Sequence, residues 1–245
     1  MGFFSRFKKE KGTENNDVKA SSVNTNTGIS LEKRVETVSK ICLTKNINNI
    51  TAEVLVVCDY SGSMNSLYVN GKVQDALERL LPLALKFDDD GNMPFYIFSD
   101  KYNKLKAINI NNYKDYIKNE KVLNKYSMGG TNYSPVIKEI AKTHSDTKVP
   151  TFVIFITDGD CWDKKESEDL IKEASDKSIF WQFVGIGNAS FSFLQSLDDI
   201  GDRTIDNADF FSVNSIESLT DEELYTKLLG EFPDWLTAAK NKSII

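Results

Sequence analysis

The sequence predicts an α/β fold, a doubly wound and mostly parallel sheet with helices on both faces. Two observations carry this. Four apolar runs do not alternate with polar residues: 52–58 (AEVLVVC), 93–99 (MPFYIFS), 151–157 (TFVIFIT) and 179–187 (IFWQFVGIG). Strands that read this way are buried on both faces. Between the runs lie segments whose apolar residues recur at the helical period, and strands alternating with helices make a parallel sheet.

Taken in order, residues 1–12 (MGFFSRFKKEKG) place Phe3, Phe4 and Phe7 at helical spacing. Arg6, Lys8, Lys9 and Lys11 against Glu10 give the segment a net charge of +3. Such a segment suits weak contact with a membrane surface or docking to a partner, set against an ordinary frayed terminus. Arg6 stands where a myristoylation signal needs Ser or Thr. Residues 13–29, rich in Asn, Thr, Ser and Gly, read as a flexible linker. The division is therefore 1–29 as a basic-aromatic terminus with its linker, and 30–245 as one domain.

Ser30 is placed to cap a helix opening at Leu31, with Leu31, Val35, Val38 and Leu43 as its apolar stripe. In 72–87, Val73, Ala76, Leu77, Leu80, Leu81, Ala84 and Leu85 follow the 3.6-residue period, and Pro82 predicts a kink. Residues 134–144 and 164–177 read as shorter amphipathic helices, and Phe210–Val213 as a further short strand. Thr220 with Glu223 forms a capping-box pattern. Gly230 is placed to end that helix, and Phe232, Trp235 and Leu236 continue it against the domain body. Asp88-Asp89-Asp90-Gly91 reads as a solvated turn, because the remaining ligands of a calcium loop are missing. His144, the only histidine, reads as solvated at a helix end.

The chain of 245 residues is 40% hydrophobic and 27% charged, as expected of a soluble globular protein. Its formal charge of −6 argues against nucleic acid as a general partner. Cys42, Cys58 and Cys161 are odd in number and lack metal-binding spacing, so free thiols in a reducing compartment are expected. No apolar run approaches the roughly 20 residues of a membrane helix, and no secretory signal is evident. The expected location is the cytoplasm.

The chemistry collects after the strands. Asp59-Tyr60-Ser61-Gly62-Ser63 follows the first buried run, and Asp158, in Thr157-Asp158-Gly159, follows another. Two carboxylates thus arrive at the carboxyl edge of the sheet, where open α/β sheets bind ligands. Thr131, in Gly129-Gly130-Thr131-Asn132, lies in a loop whose glycines permit close backbone approach. Carboxylates and hydroxyls select a hard cation, Mg²⁺ first, then Mn²⁺ or Ca²⁺. The absence of His and Cys argues against Zn²⁺. If one Asp binds through water, the cation stays electron-poor, and a carboxylate from a partner protein would fill its open position.

These three pieces resemble the metal-ion-dependent adhesion site of von Willebrand factor A domains, over about residues 30–240. Leu31-Glu32-Lys33, Asp59-Tyr60-Ser61-Gly62-Ser63-Met64, Gly71-Lys72-Val73-Gln74, Asp88-Asp89-Asp90-Gly91 and Met128-Gly129-Gly130-Thr131 look like the A domains associated with tellurite and toxic-compound resistance. The resemblance implies a von Willebrand factor A (Rossmann-like) fold and a stress-response setting. It assigns Ser61, Ser63 and Thr131 as hydroxyl ligands, and Asp59 and Asp158 as direct or water-mediated ones. Asp160 is left outside this shell. Tyr60, Tyr133, Cys161 and Trp162 flank the loops as a partner-binding rim or as local packing.

The expected function is therefore a divalent-cation-dependent protein–protein interaction module, with no catalytic residues. The enzyme alternative is a Mg²⁺-dependent phosphohydrolase of the haloacid dehalogenase type. That chemistry wants a second Asp two residues after the first, and Ser61 stands there. A Walker lysine motif is absent as well. A membrane-surface scaffold tethered through residues 1–12 is compatible with the interaction module.

Overall fold

In a computed structural model that describes residues 29–145 and 147–245, the apolar runs divide their side chains between two cores. From β1 (Glu53–Asp59), Val54, Val56 and Cys58 enter one core while Leu55 and Val57 enter the other. The run from Thr151 to Thr157 (β4) splits likewise, with Phe152, Ile154 and Ile156 on the first side and Val153 and Phe155 on the second. Successive strand residues point to opposite faces, so a strand covered on both faces has no polar side to show.

The described strands form one six-stranded sheet. Besides β1 and β4 they are β2 (Phe95–Phe98), β3 (Tyr102–Lys104), β5 (Ile179–Ile186) and β6 (Ala208–Val213), in the order β3-β2-β1-β4-β5-β6. All pairings are parallel except the β2–β3 hairpin. The connection leaving β1 runs outward to β2, and the connection leaving β4 runs outward to β5. A crevice therefore opens between the carboxyl ends of β1 and β4, the switch point at which such sheets bind ligands.

The first core is covered by α1 (Leu31–Thr44), α3 (Lys72–Phe87), α9 (Asp221–Leu228) and α10 (Phe232–Asn241), the second by α6 (Ser134–His144), α7 (Lys164–Glu173) and α8 (Ser192–Asp198). Short helices α2 (Asn65–Val69), α4 (Tyr116–Asn119) and α5 (Val122–Lys125) fill the connections. Ser30 caps α1, accepting from the Lys33 N–H at 3.4 Å. Thr220 and Glu223 complete a capping box on α9.

The α3 helix continues through Pro82 to Phe87. Several expectations are corrected. Leu43 is 60% exposed; Ile41 and Cys42 turn inward on α1 instead. His144 is buried, not solvated, and its Nδ1 lies 2.9 Å from Glu53 Oε2. The expected helix 164–177 ends at Glu173 and tightens into a 3₁₀ turn over Ala174–Asp176. β3 and the helices α2, α4, α5 and α8 are too short for periodicity to reveal. The basic-aromatic segment 1–12 and the linker through residue 28 lie outside the described residues. Among the described residues, no helix is long and apolar enough to cross a membrane.

Candidate metal centre

Asp59 is the last residue of β1 and is fully buried. Its Oδ1 accepts from the Ser61 N–H at 2.7 Å, and its Oδ2 accepts from the Thr157 hydroxyl at 2.7 Å. Tyr68 on α2 donates to the Asp59 carbonyl at 3.0 Å, which fixes the strand end from below. Burial pushes the Asp59 carboxyl up to about 6; bonds from Thr157 and Ser61 oppose the shift, and the neighbouring Asp158 adds to it.

The chain then turns out of the sheet. Ser61 is buried while Ser63 reaches the surface. Their hydroxyls lie 3.0 Å apart, and Ser63 donates to Asp158 Oδ1 at 2.8 Å. Asp158 follows β4 directly and is half-buried. Its carboxyl is also raised by burial, against the Ser63 hydrogen bond.

The glycine loop joins these two by backbone. Gly62 N–H donates to the Gly129 carbonyl at 3.1 Å, and Trp162 N–H donates to the Thr131 carbonyl at 2.9 Å. Thr131 is thereby held between the loops that carry Ser61 and Asp158, and it is partly exposed. Asp100 explains the two glycines. Its carboxylate accepts from the Gly130 N–H at 3.1 Å, and a Cβ at Gly129 would stand 2.3 Å from its Oδ2. All five predicted ligand residues thus belong to loops tied together at one edge, with Asp59 at the base and Ser63, Thr131 and Asp158 toward solvent.

The rim is different from the expectation. Tyr133 is fully buried; its hydroxyl donates to the Gly159 carbonyl and to Thr157 Oγ1, the latter at 3.2 Å. Tyr60 is also buried, with its hydroxyl donating to the carbonyls of Tyr126 at 3.2 Å and Val122 at 3.3 Å. Both rings pack the loops from beneath and offer no rim surface. Trp162 is 84% exposed and stands beside the Thr131 loop. Cys161 is buried, and burial raises its thiol to about 12, as it does that of Cys58. Thiols held neutral in this way are poor nucleophiles and poor metal ligands.

Three supporting residues escape a reading of the motifs. Thr157 orients Asp59, Asp100 seats the glycine loop, and Asp163 accepts from the N–H groups of Tyr133 at 3.0 Å and Ser134 at 2.7 Å, anchoring the start of α6. Only Thr157 carried a signal, as the neighbour of Asp158 in the motif.

The sheet order, the crevice at β1 and β4 and the three converging loops define an A-type α/β domain. Residues 51–245 match vWA-TerF-like, described as the vWA found in the TerF C terminus, and the chain belongs to this family. It is 40% identical over 207 residues to uncharacterized protein YcbR of Bacillus subtilis (strain 168), covering 82% of this chain and 84% of that one. Among solved structures, manganese-loaded Plasmodium vivax TRAP protein is similar, with a TM-score of 0.54, 19% identity and coverage of 76% of this chain and 74% of that one. Proximal thread matrix protein 1 from the mussel byssus, with a zinc-occupied MIDAS motif, is similar with a TM-score of 0.50, 17% identity and coverage of 77% of this chain. The present chain spans 50% of that mussel protein's length. These last two likenesses are likenesses of fold.

Proposed function

We propose that the protein is a divalent-cation-dependent protein–protein interaction module in which Asp59, Ser61, Ser63, Thr131 and Asp158 hold one cation. The observation that carries this reading is the convergence of three sequence-distant loops on a buried carboxylate, with hydroxyls and a second carboxylate opening to solvent. Burial makes both carboxyls costly to ionise without a counter-charge, the Asp158 charge adds to the cost at Asp59, and a cation supplies the counter-charge. A partner carboxylate completes the coordination, and Trp162 is the exposed aromatic beside it. Mg²⁺ remains the first candidate, with Mn²⁺ and Ca²⁺ behind it. The manganese and zinc named for the two structural neighbours widen the set to be titrated, so the lack of His and Cys does not dismiss Zn²⁺. The phosphohydrolase alternative gains no support at Ser61, whose hydroxyl faces Ser63. The module is proposed to work in a cytoplasmic tellurite or stress-resistance system, a reading supported by its membership of the vWA-TerF-like family.

Thermal unfolding of chelated protein across a Mg²⁺ titration tests the site. A cation at 100 times its dissociation constant stabilises by about 2.7 kcal/mol, a midpoint rise of roughly 5–10 °C for a domain this size. The rise is expected in the wild type and not in Asp59→Ala. No rise with Mg²⁺, Mn²⁺, Ca²⁺ or Zn²⁺ up to about 10 mM, far above the range of functional sites, would refute the proposal.

A further inference from the structure

A second group of carboxyls lies away from the upper crevice, at the open edge of the sheet formed by β6. Asp209 is the second residue of β6, Asp198 ends α8, and Glu231 immediately precedes α10. One carboxylate oxygen from each lies within 4.8 Å of the other two. The three come from different elements, and Gly230 permits the approach: a Cβ there would stand 2.7 Å from Asp209 Oδ2.

Acidic groups gather on many surfaces without consequence, but this cluster contains a polar side chain that a surface cluster lacks. Gln182, in the middle of β5, is fully buried, and neither its amide nitrogen nor its amide oxygen has a hydrogen-bond partner. It is the register partner of Asp209 on the same face of the sheet. Burial raises the Asp209 carboxyl, and the Glu231 and Phe210 N–H groups and the Gln182 amide beside it oppose the shift. A buried amide with both ends unmatched is costly unless something beside it accepts the dipole.

The two cationic side chains that bond to this neighbourhood, Arg203 and Lys45, are engaged elsewhere than on its carboxylates. Arg203 pairs with Asp206 at 2.8 Å and donates to the carbonyls of Asp198 at 2.6 Å and Leu197 at 3.4 Å. Lys45 donates to the Gly230 carbonyl at 3.4 Å. Among the described residues, no ion pair reaches Asp198, Asp209 or Glu231. Burial first, and mutual repulsion second, raise Asp198 to about 6 and Glu231 to about 7.

We infer that Asp198, Asp209 and Glu231, backed by the buried Gln182 amide beside Asp209, form a second cation site of the hard, oxygen-ligand class, suited to Ca²⁺. Ca²⁺ binds oxygens at about 2.4 Å and tolerates irregular geometry, so one ion spans oxygens separated by the distance found here. The site would bridge α8, β6 and the start of α10, elements from both faces, and so would close the open edge. Its occupation is independent of the upper crevice.

The test uses the full chain carrying Asp59→Asn, chelated and titrated with Ca²⁺ alone by calorimetry. One equivalent is expected to bind. Glu231→Gln or Asp198→Asn should weaken it by about tenfold or more, since affinity follows ligand charge. Glu231 is exposed, so its isosteric variant should fold; circular dichroism checks both variants. Thermal unfolding supplies a second readout: Glu231→Gln should raise the midpoint of chelated protein and remove the increment that Ca²⁺ adds. Two results overturn the inference. One is no Ca²⁺ binding up to about 5 mM, beyond the weakest functional calcium sites. The other is Ca²⁺ binding of equal strength with and without the cluster substitutions.

Discussion

Arg79→Ala is expected to destabilise the protein by about 3–5 kcal/mol, the cost of breaking a buried ion pair from one side. Arg79 lies on α3 and is buried. Its Nε pairs with Asp221 Oδ1 at 2.8 Å, and its two terminal nitrogens donate to the carbonyls of Ile216 at 2.6 Å and Leu219 at 2.8 Å. Arg34 on α1 takes the other Asp221 oxygen at 3.1 Å, and Tyr225 on α9 donates to the Arg79 carbonyl at 2.8 Å. The guanidinium thus ties α3 to the start of α9, and Asp221 extends the tie to α1 through Arg34. Removing the guanidinium leaves a buried carboxylate with one partner, takes the side-chain donor from the Leu219 carbonyl, and leaves the Ile216 carbonyl only its 3.2 Å bond from the Leu219 N–H. Arg79→Lys should not restore stability, because a single ammonium cannot reproduce the forked geometry. Urea unfolding should show a lower midpoint with an unchanged slope. Lys72→Ala, which removes the exposed pair with Glu217, is the control and should leave the midpoint nearly unmoved. A shift in Arg79→Ala as small as the control's would show that the network is decorative.

The second large effect concerns Asp59 without a cation. Its folded pKa of about 6 lies above the ordinary 3.8. The folded chain therefore keeps a proton that the unfolded chain releases, and stability falls as pH rises from about 4 to about 6. A shift of about 2 units corresponds to about 3 kcal/mol, all of it felt at neutral pH. Asp59→Asn should therefore stabilise chelated protein at pH 7.5, flatten its pH dependence and abolish the Mg²⁺ increment. The hydrogen bonds can adapt: the Ser61 N–H keeps its acceptor, and Thr157 can donate to the Gly159 carbonyl at 3.2 Å. Asp88, Asp198 and Glu231 titrate in the same window, so the difference between wild type and variant is the measured quantity. Chelated Asp59→Asn no more stable than wild type at pH 7.5 would contradict this. Such a trade, with a residue costly to the fold retained for its chemistry, is common at binding sites.

Much of this architecture was legible in the chain. Unbroken apolar runs announced strands buried on both faces, and the 3.6-residue stripe of 72–87 gave α3 its bounds. Thr220 with Glu223 marked the start of α9. Asp59 and Asp158 could be placed at one sheet edge because each follows a strand directly. These signals lie within a few residues of the feature they specify, where backbone geometry and capping operate.

Tertiary structure alone decided the rest. Tyr60 and Tyr133 flank the motif loops in sequence, yet both are buried beneath them, because carbonyls on other segments take their hydroxyls. His144 has no polar neighbour in sequence that would bury it; Glu53, at the start of β1, supplies the partner. Asp221 meets Arg79 across 142 residues, and the glycines at 129 and 130 make sense only against Asp100. Gln182 reads as an oddity in an apolar strand until Asp209 stands beside it. In each case the deciding interaction pairs groups far apart along the chain. Local periodicity fixes which element a residue belongs to, but burial and polar pairing depend on which elements the sheet order brings together.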